Sequence, residues 1–413
     1  MATVFWIIIA ILVIDFVVER YLDHLNTTRW SDQLPDEVKG IYDEGKYRQQ
    51  QAYSRVNHKF GILTSSLGFI LIMLMLFLQG FALVNNWALS ISVSPVWSAL
   101  IFFGILMFAS DILNIPFELY DTFVIEEKFG FNRTTPKTYI LDKIKGWLIG
   151  ALIGGVIIAL IIWIYQLTGK HFWLYAWAVI SGFSIFMVMF YSNIIVPLFN
   201  KQTLLEDGEL KNAIQQFAAG VGFKLDNIFV IDGSKRSTKA NAYFTGLGAK
   251  KRIVLYDTLI NEMEIPEIVA VLAHEIGHYK KKHIFWSLLL GIVQTGVMLF
   301  LFSIFVDNPQ LSKVLGVEQP AFHIGLITFG ILYTPFSFIT GIWMNIYSRK
   351  NEYEADNFAA KYADGQALAS ALIRLSVKNL SNLRPHPACV FVYYSHPTLL
   401  QRLSNLNNRK GIC

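Results

Sequence analysis

The run Ala273-His274-Glu275-Ile276-Gly277-His278 sets two imidazoles four residues apart, with a carboxylate beside the first. On a helix, residues four apart stand one above the other, so His274 and His278 can present both rings to one point. Glu275 is displaced around the helix and can act on a water at a shared metal ion without being a ligand. With 9 His and 30 acidic residues among 413, two His flanking an acid in this pattern are expected by chance only about 0.014 times. The bland alternative is a pair of surface histidines on a helix. Upstream, Pro266 suits the first helical position and Glu267 complements the positive end of the helix dipole. Ile268, Val271 and Leu272 continue an apolar helical face.

A catalytic zinc needs a third protein ligand. A third histidine six residues after the second is absent, because that position is Ile284. His283 lies nine residues from His274, about 180° round a continuous helix, and is expected to face away. The acidic run Asn351-Glu352-Tyr353-Glu354-Ala355-Asp356 offers Glu352 and Asp356 four apart, pointing the same way on a helix. One carboxylate can bind zinc while the other hydrogen-bonds a ligating imidazole. A solvated acidic helix start fits Glu352 and Glu354 equally. Glu352 is the favoured ligand because it leaves Asp356 one turn on. Two His, one Glu and an open fourth position make a catalytic rather than a structural site for one Zn²⁺ per chain.

The elements that must hold this site belong to a membrane protein. Of the residues, 54% are hydrophobic and only 16% charged, well below the roughly 25% charged of soluble domains. The net charge of +5 comes without a basic stripe interleaved with aromatics, which excludes nucleic acid as a partner. Two cysteines, Cys389 and Cys413, make no disulfide framework and are read as reduced thiols. Seven apolar stretches run over residues 4–18, 61–83, 96–117, 147–165, 172–199, 284–306 and 322–347. Six reach the roughly 20 residues of a spanning helix. The first is short and holds Asp15, but it lacks the flanks of a signal peptide and is kept as a helix. Loops carrying almost no Lys or Arg alternate with basic ones. That puts the N-terminus outside and residues 200–283 and 348–413 in the cytoplasm.

The fold expected is an all-α polytopic membrane protein with seven transmembrane helices and a small α+β cytoplasmic zinc-protease unit. Its parts are residues 1–199 with helices one to five, 200–283 with the histidine motif, 284–347 with helices six and seven, and 348–413 with the third ligand. Lys280, Lys281 and Lys282 mark the cytoplasmic start of the sixth span. Asp15, Asp111 and Glu118 lie in or at the ends of spans, where acids default to a functional reading; no catalytic role is assigned to them.

The pattern His274-Glu275-x-x-His278 with Glu352-x-x-x-Asp356 resembles the gluzincin arrangement. Seven spans with the motif between the fifth and sixth resemble the type I CAAX prenyl protease family. Ile195-Val196-Pro197-Leu198-Phe199-Asn200-Lys201, Asn241-Ala242-Tyr243-Phe244, Arg252–Tyr256 with Asp257-Thr258-Leu259, and Tyr394-Ser395-His396-Pro397 with Arg402 agree with it. The resemblance covers nearly the whole chain. It implies helices around a water-filled intramembrane chamber, with zinc near its cytoplasmic end. It also implies cleavage of prenylated CAAX proteins after the modified cysteine. The partners are then a peptide or prenylated protein and membrane lipid, for a monomer located in the endoplasmic reticulum of a eukaryote or the inner membrane of a bacterium. The chain looks shorter than eukaryotic members and carries no C-terminal retention signal, which points to a bacterial member.

Asn241 precedes an expected strand at Arg252–Tyr256, and peptidases of this class bind substrate along a strand edge. By spacing, Asn241 fits a turn or a donor to the substrate equally; the resemblance favours the donor. The resemblance likewise lifts His396 from a structural histidine to a stabiliser of the developing oxyanion. Arg402 is read as a buried ion-pair partner of Asp356. Cys413 is the last residue, whereas a CAAX box needs Cys fourth from the end, so the chain is not its own substrate by that signal. The rival activities are quality control of misfolded membrane proteins and a transporter or chaperone with structural zinc. A structural site would normally supply four protein ligands, which weighs against the last.

Overall fold

Among the described residues, five helical stretches are long and apolar enough to cross a membrane: Glu44–Phe77, Pro95–Glu126, Pro136–Phe199, His283–Phe305 and Phe322–Tyr362. The computed structural model describes residues 2–225, 227–246 and 251–407; Cys413 lies outside them. The 64-residue stretch holds two helices, Pro136–Thr168 and Phe172–Ile194, parted by a 3-10 turn over Gly169–His171. Another helix, Ala2–Thr27, covers the first apolar stretch. Protein buries only 6% of the most apolar window of Glu44–Phe77 and 11% of that of Pro136–Phe199. Surfaces so apolar and so bare need lipid as their solvent, and helices satisfy their own backbone groups there. The chain is an integral membrane protein.

Two expectations change. Residues 61–83 are not one span. The helix ends at Phe77, Gln79 takes a left-handed turn at φ 54°, and a separate helix runs over Gly80–Ile91. The return is so tight that a Cβ on Gly80 would lie 2.5 Å from the Met75 sulfur. The second change is to the alternative reading of the acidic run at 351–356, which does not start a helix. It continues one unbroken 41-residue helix, Phe322–Tyr362, called the long helix below.

A small sheet carries the polar unit that holds the histidine motif. Its strands are β1 (Gln202–Leu204), β2 (Ile228–Ile231), β3 (Ala242–Thr245) and β4 (Arg252–Tyr256), in the order β1-β2-β4-β3. β2 and β4 run parallel, while β1 and β3 are antiparallel edges. β4 is the strand expected from the sequence. β3 was not expected; it pairs Ala242 with Leu255 and Phe244 with Ile253.

Against the sheet lies the motif helix, Ile265–Lys280, opened by Pro266 and a capping box between Glu264 and Glu267. Its Ile268, Leu272 and Ile276 are buried with Ile228, Ile253 and Leu255 of the sheet. Each such side chain contributes about 1.5–3 kcal/mol when fully buried. The opposite face carries Ala270 and Ala273, which pack with Ala359 of the long helix and with Leu368, Leu372 and Leu403. Small residues on that face let two helices approach closely, and this approach positions the site.

Candidate metal centre

Three ligand-type atoms converge where the motif helix meets the long helix. His274 Nε2 and His278 Nε2 lie 3.1 Å apart. Glu352 Oε1 is 3.2 Å from His278 Nε2, and Oε2 is 3.4 Å from His274 Nε2. One atom from each residue falls within a 4.8 Å cluster, the single group of its kind among the described residues. Atoms bound at about 2.1 Å on a tetrahedral zinc are themselves roughly 3.4 Å apart, so these separations fit such an ion. Glu352 Oε2 is buried without a hydrogen-bond partner among the described residues. A buried carboxylate oxygen without a hydrogen bond is costly unless cationic charge stands close to it.

The closeness of the two helices has a local cause. A Cβ on Gly277 would sit 3.1 Å from Phe358 Cβ and 3.2 Å from Ala355 Cα. Only glycine leaves the long helix room to bring Glu352, one turn before Ala355, up to the two imidazoles.

Asp356, fully buried, stands behind His274. Its Oδ1 lies 2.8 Å from His274 Nδ1, so the ring donates there and keeps Nε2 free to face the cluster. Arg402 grips the same carboxylate in fork geometry, Nε to Oδ2 at 2.9 Å and Nη2 to Oδ1 at 2.5 Å. The ion pair expected for Arg402 is therefore present, and its Nη1 also lies 3.7 Å from Glu352 Oε2. Burial and the Arg402 guanidinium push the His274 pKa down, but the Asp356 and Glu352 carboxylates outweigh them and hold it up at about 9. A pocket that stabilises a protonated imidazole despite burial has a field suited to a cation.

Glu275 is half-buried and makes no hydrogen bond or ion pair with a described residue. His396 reaches the cluster from the C-terminal segment, its Nε2 3.2 Å from Glu352 Oε1 and its side chain 63% exposed. Ser395 Oγ lies 3.0 Å from His396 Nδ1 and orients the ring. Asn241 is exposed at the start of edge strand β3, where its Oδ1 accepts from the Ala242 amide at 2.8 Å.

One reading of the sequence is overturned. His283 does not face away: the motif helix stops at Lys280, Lys282 turns left-handed at φ 59°, and a new helix starts at His283. His283 Nδ1 thereby comes to 3.0 Å from His278 Nδ1, on the side of the ring away from the cluster. Asp111 and Glu118 share one lysine and further hydrogen-bond donors. Lys143 Nζ lies 2.7 Å from each, Trp147 donates to Asp111 and Tyr139 to Glu118.

Residues 23–201 match the family described as CAAX prenyl protease N-terminal, five membrane helices, and residues 204–410 match peptidase family M48. The chain is 36% identical to CAAX prenyl protease 1 of Saccharomyces cerevisiae over 95% of this chain and 93% of that protein. It is 34% identical to the Arabidopsis thaliana homologue over 96% of each. The crystal structure of S. mikatae Ste24p superposes with a TM-score of 0.92 at 37% identity, covering 98% of both chains. A likeness that spans both the membrane helices and the metal-centre segment makes this chain a member of the CAAX prenyl protease 1 family of membrane metallopeptidases, within peptidase family M48.

Proposed function

We propose that the chain is a zinc endopeptidase that cleaves prenylated CAAX proteins after the modified cysteine at the cytoplasmic face of its membrane. The convergence of His274, His278 and Glu352 carries the reading, and the names of the relatives supply the substrate class. These three residues would hold one Zn²⁺, with Asp356 and Arg402 fixing the His274 ring. When bound, zinc would supply a Lewis acid for the attack of water on the peptide carbonyl.

The remaining roles fall to the chain's own side chains. Glu275, which makes no hydrogen bond or ion pair with a described residue, takes a proton from the attacking water and returns it to the leaving amine. His396, exposed beside Glu352, donates to the oxyanion as it develops. Edge strand β3 accepts the substrate backbone by strand addition, and Asn241 at its start donates to that backbone.

The architecture we infer has seven spans, counting Ala2–Thr27 and both helices of Pro136–Phe199, around a water-filled chamber. Loop charge supports an outside N-terminus and a cytoplasmic unit built from residues 200–283 and 348–413, joined to spans in 1–199 and 284–347. The protein works as a monomer in lipid, without nucleic acid.

Purified chain incubated with a farnesylated CAAX peptide should release the tripeptide, stop with a chelator and resume on adding zinc. Equal cleavage of the unprenylated peptide would refute the substrate class. Cleavage that survives complete metal removal would refute the zinc reading.

A further inference from the structure

The inner nitrogen of each zinc-facing imidazole needs a partner, and the two histidines have different ones. Behind His274 stands the buried Asp356 carboxylate. Behind His278 stands His283, Nδ1 to Nδ1 at 3.0 Å, with the two ring planes at 75°. His283 Nε2 in turn lies 3.4 Å from Glu354 Oε2. The His283 side chain is 7% exposed and that of Glu354 is 37% exposed, so the chain of contacts runs from the cluster outward to water.

One proton arrangement satisfies every atom. For His278 Nε2 to offer its lone pair to a metal, the proton of that ring must sit on Nδ1 and be donated to His283 Nδ1. His283 then carries its own proton on Nε2 and donates it to Glu354. We propose that His283 and Glu354 are positioning residues that fix the tautomer and ring orientation of His278, as Asp356 and Arg402 do for His274. The proposal rests on the metal-site reading above.

The backbone supports it independently. A helix continued past Lys280 would swing His283 to the far side, and it is the left-handed turn at Lys282 that returns the ring to His278. Side chains other than glycine rarely adopt that conformation, and such outliers gather at functional sites. Glu354 comes from the long helix, two residues after ligand Glu352, so the helix that supplies the third ligand also supplies the end of the relay.

The test measures zinc affinity of the full chain in detergent by competition with a fluorescent chelator, alongside the thermal midpoint of the zinc-free protein. Loss of such an outer partner typically weakens metal binding about 10–100-fold. With a neutral imidazole as the partner, His283→Ala is expected near the lower bound, about 10-fold. His283→Phe keeps the ring volume without the hydrogen bonds and should match it. His283→Gln can accept from His278 and donate to Glu354, and should recover most of the affinity. Glu354→Gln should weaken binding alone but add nothing in the His283→Ala background. Wild-type zinc affinity in both His283→Ala and His283→Phe overturns the relay. So does a lowered zinc-free midpoint with unchanged affinity, which would make His283 a packing residue. A wild-type chain that binds no zinc, or a His274→Ala chain that binds it fully, refutes the metal site itself.

Discussion

Replacing Gly277 by Ala adds one methyl where the motif helix and the long helix touch. The new Cβ would lie 3.1 Å from Phe358 Cβ, 3.2 Å from Ala355 Cα and 3.3 Å from Ala355 O. Carbon atoms in comfortable contact sit about 3.5–4.0 Å apart, so the helices must part by a few tenths of an ångström. Two of the three obstructing atoms are backbone, and no side-chain rotation relieves them. Removing a helix-interior glycine returns about 1 kcal/mol of helix propensity, while overpacking costs roughly 1–3 kcal/mol. The net loss, about 0–2 kcal/mol, leaves the protein folded. The site is less forgiving. Glu352 lies one turn before Ala355 and Asp356 lies next to it, and metal and catalytic groups must be held within about 0.5 Å. A misplacement of about 1 Å can cost roughly 100-fold, so a few tenths should cost on the order of 10-fold in zinc affinity and in kcat/KM. Zinc competition, peptide turnover and the midpoint of the metal-free protein measure the three quantities together. Wild-type zinc affinity and turnover in Gly277→Ala would refute the idea that helix separation sets the site.

Glu275→Gln should retain a full equivalent of zinc and lose turnover, whereas His274→Ala, His278→Ala or Glu352→Ala should lose the metal as well; atomic absorption separates the two classes. Asp356→Ala should weaken zinc about 10–100-fold without abolishing binding, and an unchanged zinc Kd would return Asp356 to an ordinary structural acid. Arg402→Met removes the fork on the buried Asp356 carboxylate and leaves it with His274 as its partner, so unfolding of the zinc-free chain should show a loss of about 1–3 kcal/mol; a loss well below about 1 kcal/mol would contradict the buried pair. For orientation, Val93 and Glu206 are both exposed. With Cys413 replaced by Ser, Val93→Cys should react with an impermeant thiol reagent on intact cells and Glu206→Cys should not. The opposite pattern would place the metal centre on the outer face.

What could be read in advance follows from the range over which each signal acts. Helical spacing is local, so His274, His278, Glu352 and Asp356 were legible as pairs four apart. That the two pairs meet was not, because 74 residues separate His278 from Glu352 and periodicity carries no distance between helices. Gly277, Ala270 and Ala273 held part of that information. Small residues on one face mark a close helix contact, although they do not name the partner. The breaks at Gln79 and Lys282 were missed for a different reason. Left-handed turns are normally signalled by glycine or asparagine, and here a glutamine and a lysine take them. At Gln79 the error merely fused two helices. At Lys282 it changed the chemistry, since a projection that assumed a continuous helix turned His283 through half a circle. Strand β3 was hidden because its pairing with β4 spans residues whose alternation is too short to separate from a loop. The candidate metal ligands were thus readable from spacing, whereas the groups placed to orient them depend on where a helix stops. One unfavourable backbone conformation, at Lys282, brings His283 within hydrogen-bonding distance of His278.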